Sequence, residues 1–310
     1  MNDNTVMVSI CCLTYNHAPY IRECLDGFLM QQVDFPIEII IHDDASTDGT
    51  QDILREYQEK YPDLFHLILQ TENQYSKGIH VTIEYIFPKV KGKYIAFCEG
   101  DDYWTDSYKL QKQVNFLEAH PDYSLCCHAT KQYIQQTGEL SKWKLPRQVE
   151  GRNISFTCRD WTHYGWFFWP LSVVLRKSCL DVYFLSSFPL CRDVHTFYSL
   201  LQHGKGYFMD ECMSVYRRHD NGVWSGISYE QKRITSLANA YDIYQEDKNA
   251  DTRRMVITNL GELLIFYLRY GRNFRKAWKV VPWAIRYCGC RGILGLCGYI
   301  CRKTVDKCFR

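Results

Sequence analysis

No Gly-x-Gly-x-x-Gly follows the first apolar run of this 310-residue chain, and no Gly-x-x-x-x-Gly-Lys-Ser/Thr occurs anywhere in it. The first absence speaks against a dinucleotide-binding crossover, the second against a P-loop nucleotide hydrolase. Cys-x-x-Cys is also missing, although the chain has 15 cysteines. An odd count in a chain this long does not fit a small disulfide scaffold. The spacings Cys288-x-Cys290 and Cys297-x-x-x-Cys301 match no common zinc site. Cys11, Cys12, Cys98, Cys126 and Cys127 lie inside apolar runs, where a thiol behaves as a small hydrophobe, so reduced cysteines in a cytoplasm are expected. Met1–Thr5 is polar, with neither a basic n-region nor an apolar h-region, so no secretory signal is expected. An excess of one charge is lacking too: the net charge is +2, and no nucleic-acid partner is expected.

What the chain does have is a repeated alternation of apolar runs and amphipathic segments. Val8–Leu13, Ile37–Ile41, Leu64–Leu69 and Tyr94–Cys98 are short apolar runs that read as buried parallel strands. Between the first two, Ile21, Cys24, Leu25, Phe28 and Leu29 recur at helical spacing, predicting a helix to about Gln32. Asp48 with Gln51 resembles a capping box for a second helix that ends near Pro62. A short helix to about Pro88, a helix over 107–120 and a strand over 123–128 follow. The polar stretch 130–164 reads as a loop region able to fold over a site. Strands are expected over 172–175 and 207–216, with a helix from Asp193 to Gln202 between them. The order βαβαβαβ predicts an α/β fold with a mostly parallel sheet, whose ligands bind beyond the C-terminal ends of its strands.

Site-like chemistry stands at those ends. The run Tyr94–Cys98 leads into Glu99-Gly-Asp-Asp102. Three carboxylates after a buried strand are costly unless something pairs with them. Mg2+ takes one or two carboxylates and completes its shell with water and substrate phosphates, so a divalent ion accounts for the cluster; a solvated acidic turn accounts for it equally well. Gly100 is expected to allow a sharp backbone turn.

Taken together, Val8-Ser-Ile-Cys-Cys-Leu-Thr-Tyr-Asn16, Ile41-His-Asp-Asp-Ala-Ser-Thr-Asp-Gly-Thr50, Glu99-Gly-Asp-Asp-Tyr-Trp104 with Lys109-Leu-Gln-Lys-Gln113, Asp193 before a helix and Tyr216-Arg-Arg-His219 resemble the family 2 glycosyltransferases over residues 6–225. The resemblance implies the GT-A fold and an inverting, metal-dependent transfer from a nucleotide-sugar donor, a UDP-sugar first, using Mg2+ or Mn2+. It implies that Thr14, Tyr15, Asn16 and Asp44 hold the base and ribose. Lys77, Asp102 and Arg218 are further candidates for donor contact, since either Arg217 or Arg218 can clamp a phosphate or remain a surface cation. Asp101 would carry the metal, with Glu99 and His219 as further candidate ligands. Glu99 departs from the family's Asp at that place. Asp193 would be the general base, or merely a helix cap. The aromatic run Trp166–Trp169 reads as core rather than a sugar platform. The Gln-x-x-Arg-Trp motif of processive relatives and their membrane spans are missing, so a single sugar is expected to be added. A binding module without turnover and a nucleotidyltransferase are the rival readings. The former is free to lose Asp101, Asp102 and Asp193; the latter wants a Gly-rich basic loop where Thr14–His17 stands.

Past about Ser228 the pattern turns helical, over 229–245, 252–270 and 274–287. Domains of 1–228, catalytic, and 229–310, a helical extension, are therefore expected. From Arg272 to Arg310 ten basic residues face one acidic residue, Asp306. Trp278, Val280, Val281, Trp283 and Ile285 interleave with Lys276, Lys279 and Arg286, as on a helix lying in an anionic membrane surface. Ile293–Ile300 is too short to span a bilayer. The expected partners are thus a nucleotide sugar, a glycan or lipid-linked acceptor and the inner membrane face, unless the helices only pack on protein.

Overall fold

The computed structural model describes residues 5–220, 222–270, 275–280 and 282. The chain divides into two compact units, Met1–His219 and Asp220–Arg310.

The first unit is built on one sheet. Strand β1 (Val8–Thr14) leads to helix α1 (Ile21–Leu29), β2 (Ile37–Asp43), α2 (Thr50–Lys60), β3 (Phe65–Leu69) and, after short single-turn helical segments over 75–89, β4 (Tyr94–Phe97). These four strands are parallel neighbours in the order β3-β2-β1-β4. The apolar runs of β1, β2 and β4 are buried on both faces, Val8, Ile10, Ile39 and Tyr94 on one and Cys11, Ile40 and Ile95 on the other, whereas β3, at the sheet edge, is half-buried beyond Phe65. Helix α1 stops at Leu29, short of the expected Gln32.

The second half of the sheet is mixed. A two-residue strand β5 (Tyr103–Trp104), α3 (Lys109–Ala119) and β6 (Tyr123–Ile134) precede β7 (Glu139–Lys142), β8 (Ile154–Phe156) and α4 (Cys158–Tyr164). Then come β9 (Val174–Arg176), α5 (Val182–Ser186), α6 (Asp193–Gln202) and β10 (Lys205–Arg218). Strand β9 pairs antiparallel with both β4 and β6, and β6 runs parallel to β10 through three register shifts. The stretch 130–164 is therefore not a loop: β6 runs six residues beyond the expected 128, β7 pairs with it, and α4 starts at a capping box in which Thr157 and Asp160 exchange hydrogen bonds. The Trp166–Trp169 run is split. Phe167 and Phe168 are core, while both flanking tryptophans are half-buried.

The expected capping box at Asp48 and Gln51 does not form. Helix α2 begins after Gly49, at φ 96°, and Gln51 turns its amide to Asp43 Oδ1 at 2.7 Å instead. Asp48 accepts from Thr50 N and Oγ1 and from Ala18 N, tying the β2–α2 loop to the β1–α1 loop.

In the second unit, α7 (Tyr229–Glu246) packs on α8 (Ala250–Ile265), with Ser228 and Asn249 as N-caps. Of the expected 274–287 helix, 275–280 and 282 are described and helical, and Trp278 is 77% exposed. Val281, Trp283, Ile285 and the run Ile293–Ile300 lie outside the described residues. No helix among the described residues is long and apolar enough to cross a membrane. Every cysteine among them is a free thiol.

Candidate functional site

The loops leaving β1, β2 and β4 converge because these strands are sheet neighbours. Two residues in the first two loops take the left-handed backbone, Asn16 at φ 55° and Ala45 at φ 65°. Asn tolerates that region; Ala does so at a cost. The loops are stitched together: Asn16 N donates to Ser46 Oγ, and Asn16 Oδ1 accepts from Thr47 N. Asp43 accepts from Ser46 N, Ser46 Oγ and Gln51 Nε2.

Asp44 is buried and turns both oxygens to the loop after β3, accepting from Gln74 N at 2.7 Å and Tyr75 N at 3.0 Å. Tyr15 and Tyr75, 47% and 43% exposed, stand on the two loops that Asp44 and Asn16 hold, and provide open ring faces there. Thr14 is buried, with Oγ1 unbonded. Lys77 lies on the surface and pairs with Glu72.

Glu99, Asp101 and Asp102 each bring a carboxylate oxygen within 4.8 Å of the others. Gly100 stands between them for a reason other than the one expected from the sequence. Its φ is not left-handed; a Cβ there would come within 2.8 Å of Ile21 Cδ1 and 2.9 Å of Thr14 Oγ1. The glycine lets the acidic loop press onto the end of β1. From β10, Arg217 clamps the loop's other side. Its N donates to Asp102 Oδ1 (2.7 Å), its Nε to the Asp101 carbonyl (2.8 Å), and its guanidinium to Gln135 and Glu23. The rings of Tyr20, Tyr103 and Tyr133 lie 4.9 to 5.4 Å from that guanidinium. Arg217, being buried and fully engaged, is a fixture of the loop, whereas Arg218 is the exposed cation of the pair.

Asp101 is the least satisfied member. Oδ2 meets His219 Nε2 at 2.8 Å and lies 3.9 Å from His17 Nε2, while Oδ1 is buried without a partner. Against the upward push of burial, the His219 hydrogen bond and the nearby imidazoles hold Asp101 below the usual carboxylate range. Asp102 goes the other way: burial, then the charges of Asp101 and Glu99, raise it well above that range. Glu99 reaches solvent, yet the protein around its carboxylate desolvates it, and with the charges of Asp101 and Asp193 it is pushed up to about 8. Three acids that cannot all ionise comfortably are a site for a cation. The unmet Asp101 Oδ1, the oxygen donors and the adjoining imidazoles fit a divalent ion held by Asp101, for which Glu99 and His219 are candidate further ligands.

Asp193 is the first residue of α6 and not its cap, which is Arg192. Its side chain is exposed, its charge reaches Glu99, and desolvation within the recess pushes its carboxyl up to about 6. Beneath the cluster, Lys109 is wholly buried with Nζ unbonded, 4.0 Å from the Trp104 ring centre; burial lowers it to about 7.

Thr14, Asn16 and Asp44 thus stand in one connected loop cluster, and Glu99, Asp101, Asp102, Asp193 and His219 in another. Lys77 is tied up with Glu72, away from both in bonding terms. Arg217, with Arg218 a candidate phosphate clamp in the sequence, is committed to the acidic loop instead; His17 carries no site expectation there. His17 directly follows the Thr14–Asn16 stretch, and that adjacency was the available signal.

The family model described as "Glycosyl transferase family 2" matches residues 9–177, a span that contains the β1, β2 and β4 loops and ends before Asp193 and His219. An uncharacterised protein of Mycobacterium tuberculosis is 36% identical over 233 residues, covering 73% of this chain and 63% of the mycobacterial protein's own length. The putative teichuronic acid biosynthesis glycosyltransferase TuaG of Bacillus subtilis is 27% identical over 268 residues, covering 80% of this chain and 98% of TuaG. Among solved structures, S. aureus TarS 1-349 in complex with UDP-GlcNAc superposes with a TM-score of 0.62 at 19% identity over 92% of this chain and 80% of that one. The mannosyltransferase PcManGT from Pyrobaculum calidifontis, in complex with GDP-Man and Mn2+, gives 0.56 at 18% identity over 96% and 80%. At these identities the structural likeness establishes the GT-A fold with its C-terminal helices. The length and position of the sequence match establish the kinship: this chain belongs to glycosyl transferase family 2.

Proposed function

We propose that this chain transfers one sugar from a nucleoside-diphosphate sugar, a UDP-sugar first, to a hydroxyl of a glycan or lipid-linked acceptor, inverting the anomeric carbon. The observation that carries the reading is the buried, unpartnered Asp101 Oδ1 in a strand-end acidic cluster, with the raised carboxyl of Asp193 charge-coupled to it through Glu99. The relatives named for glycosyl transfer, and the solved neighbours bound to UDP-GlcNAc and GDP-Man, support the same class of donor.

Each part of the chain has a role in this scheme. Asn16, Asp44 and their loops frame the base and ribose, with Tyr15 and Tyr75 offering ring faces to stack on. Asp101, with Glu99 and His219, would hold Mg2+ or Mn2+, which when bound would supply positive charge against the leaving diphosphate. Arg217 keeps the Asp101–Asp102 backbone fixed, so the donor meets a preorganised site. Arg218, exposed beside it, is free to reach a phosphate. Asp193 takes the proton of the attacking hydroxyl; a carboxyl near 6 is mostly ionised at neutral pH and more basic than an ordinary Asp. One base and one cation site suit a single displacement, hence inversion. The C-terminal basic stretch, in this reading, brings the enzyme to an anionic membrane surface carrying the acceptor.

Incubation with UDP-sugars and a divalent ion tests the reading. Release of UDP is the expected outcome. Nucleotidyl transfer would instead release sugar 1-phosphate from the UDP-sugar, or pyrophosphate when UTP and a sugar 1-phosphate are supplied, and tight donor binding with no product points to a binding module.

A further inference from the structure

We infer that His17, from the β1–α1 loop, joins Asp101 and His219 as a protein ligand of the cation, a set that does not depend on Glu99, so that the site holds Mn2+ in preference to Mg2+ and does so before any nucleotide binds. The inference rests on the cation role proposed above and adds a residue, a selectivity and an order of binding.

His17, Asp101 and His219 each present one ligand atom, and the three atoms lie within 4.8 Å of one another. They come from three elements: the end of β1, the end of β4 and the end of β10. The 2.8 Å between His219 Nε2 and Asp101 Oδ2 is the separation of two adjacent ligands on one ion at about 2.0–2.2 Å. His17 Nε2, 3.9 Å from that oxygen, is too far for a hydrogen bond and near enough to share such an ion. His17 is largely buried, its Nδ1 has no partner, and the Asp101 side chain beside it, 11% accessible, leaves Oδ1 unmet. The imidazole planes of His17 and His219 are perpendicular at 6.2 Å, so they do not stack on each other. Two imidazoles and a carboxylate form a donor set that Mg2+, which prefers oxygen and retains its waters, uses poorly. Mn2+ stands lowest of the first-row ions in affinity for such nitrogen donors, yet as a transition ion it takes imidazole more readily than the hard, strongly hydrated Mg2+. Three protein ligands also remove the need for the diphosphate as a partner before the ion can bind. The backbone of His17 is held independently of its side chain, its N donating to Thr50 Oγ1, so the ring can be exchanged without freeing the loop.

The test is titration of the nucleotide-free full chain with Mn2+, read by the loss of the free-ion electron paramagnetic resonance signal, with Mg2+ as competitor. One Mn2+ per chain is expected, with Mg2+ at least about tenfold weaker. His17→Gln should weaken Mn2+ at least about tenfold while changing Mg2+ less than about threefold, as loss of a nitrogen ligand requires. His17→Asn serves as the second variant, and near-UV circular dichroism confirms that both fold. Unchanged Mn2+ affinity in both variants overturns the inference. So does a site that takes Mn2+ only when UDP is present, and that result leaves the glycosyltransferase reading standing.

Discussion

Two groups of acidic residues stand at the strand ends, and they use their oxygens in opposite ways. Asp43, Asp44 and Asp48, after β2, turn their carboxylates to nearby donors: Ser46, Gln51, Gln74, Tyr75, Thr50 and Ala18. Glu99 and Asp101, after β4, have few such donors, and one buried Asp101 oxygen has none. Hydrogen bonds from backbone N–H groups stabilise ionised carboxylates, whereas crowding of like charges raises their affinity for protons or cations. The first group shapes the loops; the second keeps the unmet oxygen that the proposed cation role calls for. Composition alone would have ranked them alike, and the fate of each oxygen separates them.

The sharpest way to break this comparison is Asp101→Ala. Transfer is expected to fall at least about a thousandfold, the several kcal/mol that a lost cation site represents. Stability should stay within about 1 kcal/mol, because Asp102 and Glu99 lose a like-charged neighbour. Rates in saturating donor and Mn2+, with a urea midpoint alongside, give both numbers. Full activity, or activity in excess chelator, would sink the cation role.

Asp193→Asn comes next, with turnover down at least about a hundredfold and donor affinity, by calorimetry, nearly intact. The wild-type rate should also carry a pH signature. A base must be ionised to accept a proton, and Asp193 is held up to about 6, so kcat falls as pH drops through about 6. The Asn variant should lose that limb. Lost donor affinity at unchanged turnover would make Asp193 a binding residue.

Asp43→Ala belongs to the other group and should show the converse. It removes the acceptor for Ser46 N, Ser46 Oγ and Gln51 Nε2 at a wholly buried position, which costs about 1–3 kcal/mol. Below its lowered melting point, the variant should keep turnover within a few-fold of wild type. A loss of turnover as large as that of Asp101→Ala would erase the distinction between the groups.

How far the sequence disclosed this arrangement depends on the half of the sheet. Strands β1, β2 and β4 were legible because parallel strands buried on both faces are largely apolar runs whose ends carried the polar signals, and β3, half-buried at the edge, is still mostly apolar. Strand β7 was not, since Glu139-Leu-Ser-Lys142 is a mostly exposed edge with no apolar face to betray it. The Asp48–Gln51 pattern misled because the left-handed Gly49 between them turned Gln51 toward Asp43. The contacts of His17 and Arg217 were hidden for another reason. Their roles depend on β4 and β10 arriving from far along the chain, and spacing in sequence does not encode that meeting.

The smallest expected effect tests whether the shaping group carries strain. Ala45, between Asp44 and Ser46, sits at φ 65°, where its Cβ crowds the backbone at a cost of about 1–2 kcal/mol. Gly relieves that cost but loosens the unfolded chain by about 0.4–1 kcal/mol. The net expectation for Ala45→Gly is a gain of about 0.5–1 kcal/mol, read as a small rise in urea midpoint at unchanged slope. The hydrogen bonds of Asp43 and Asp44, which precede it, stay intact, so donor affinity should not move. Stability unchanged or lowered would mean the turn is not strained. A gain in stability with a loss of donor affinity would mean the Ala45 methyl is itself part of the surface the base rests on, and the loop would then belong to binding as well as to shape.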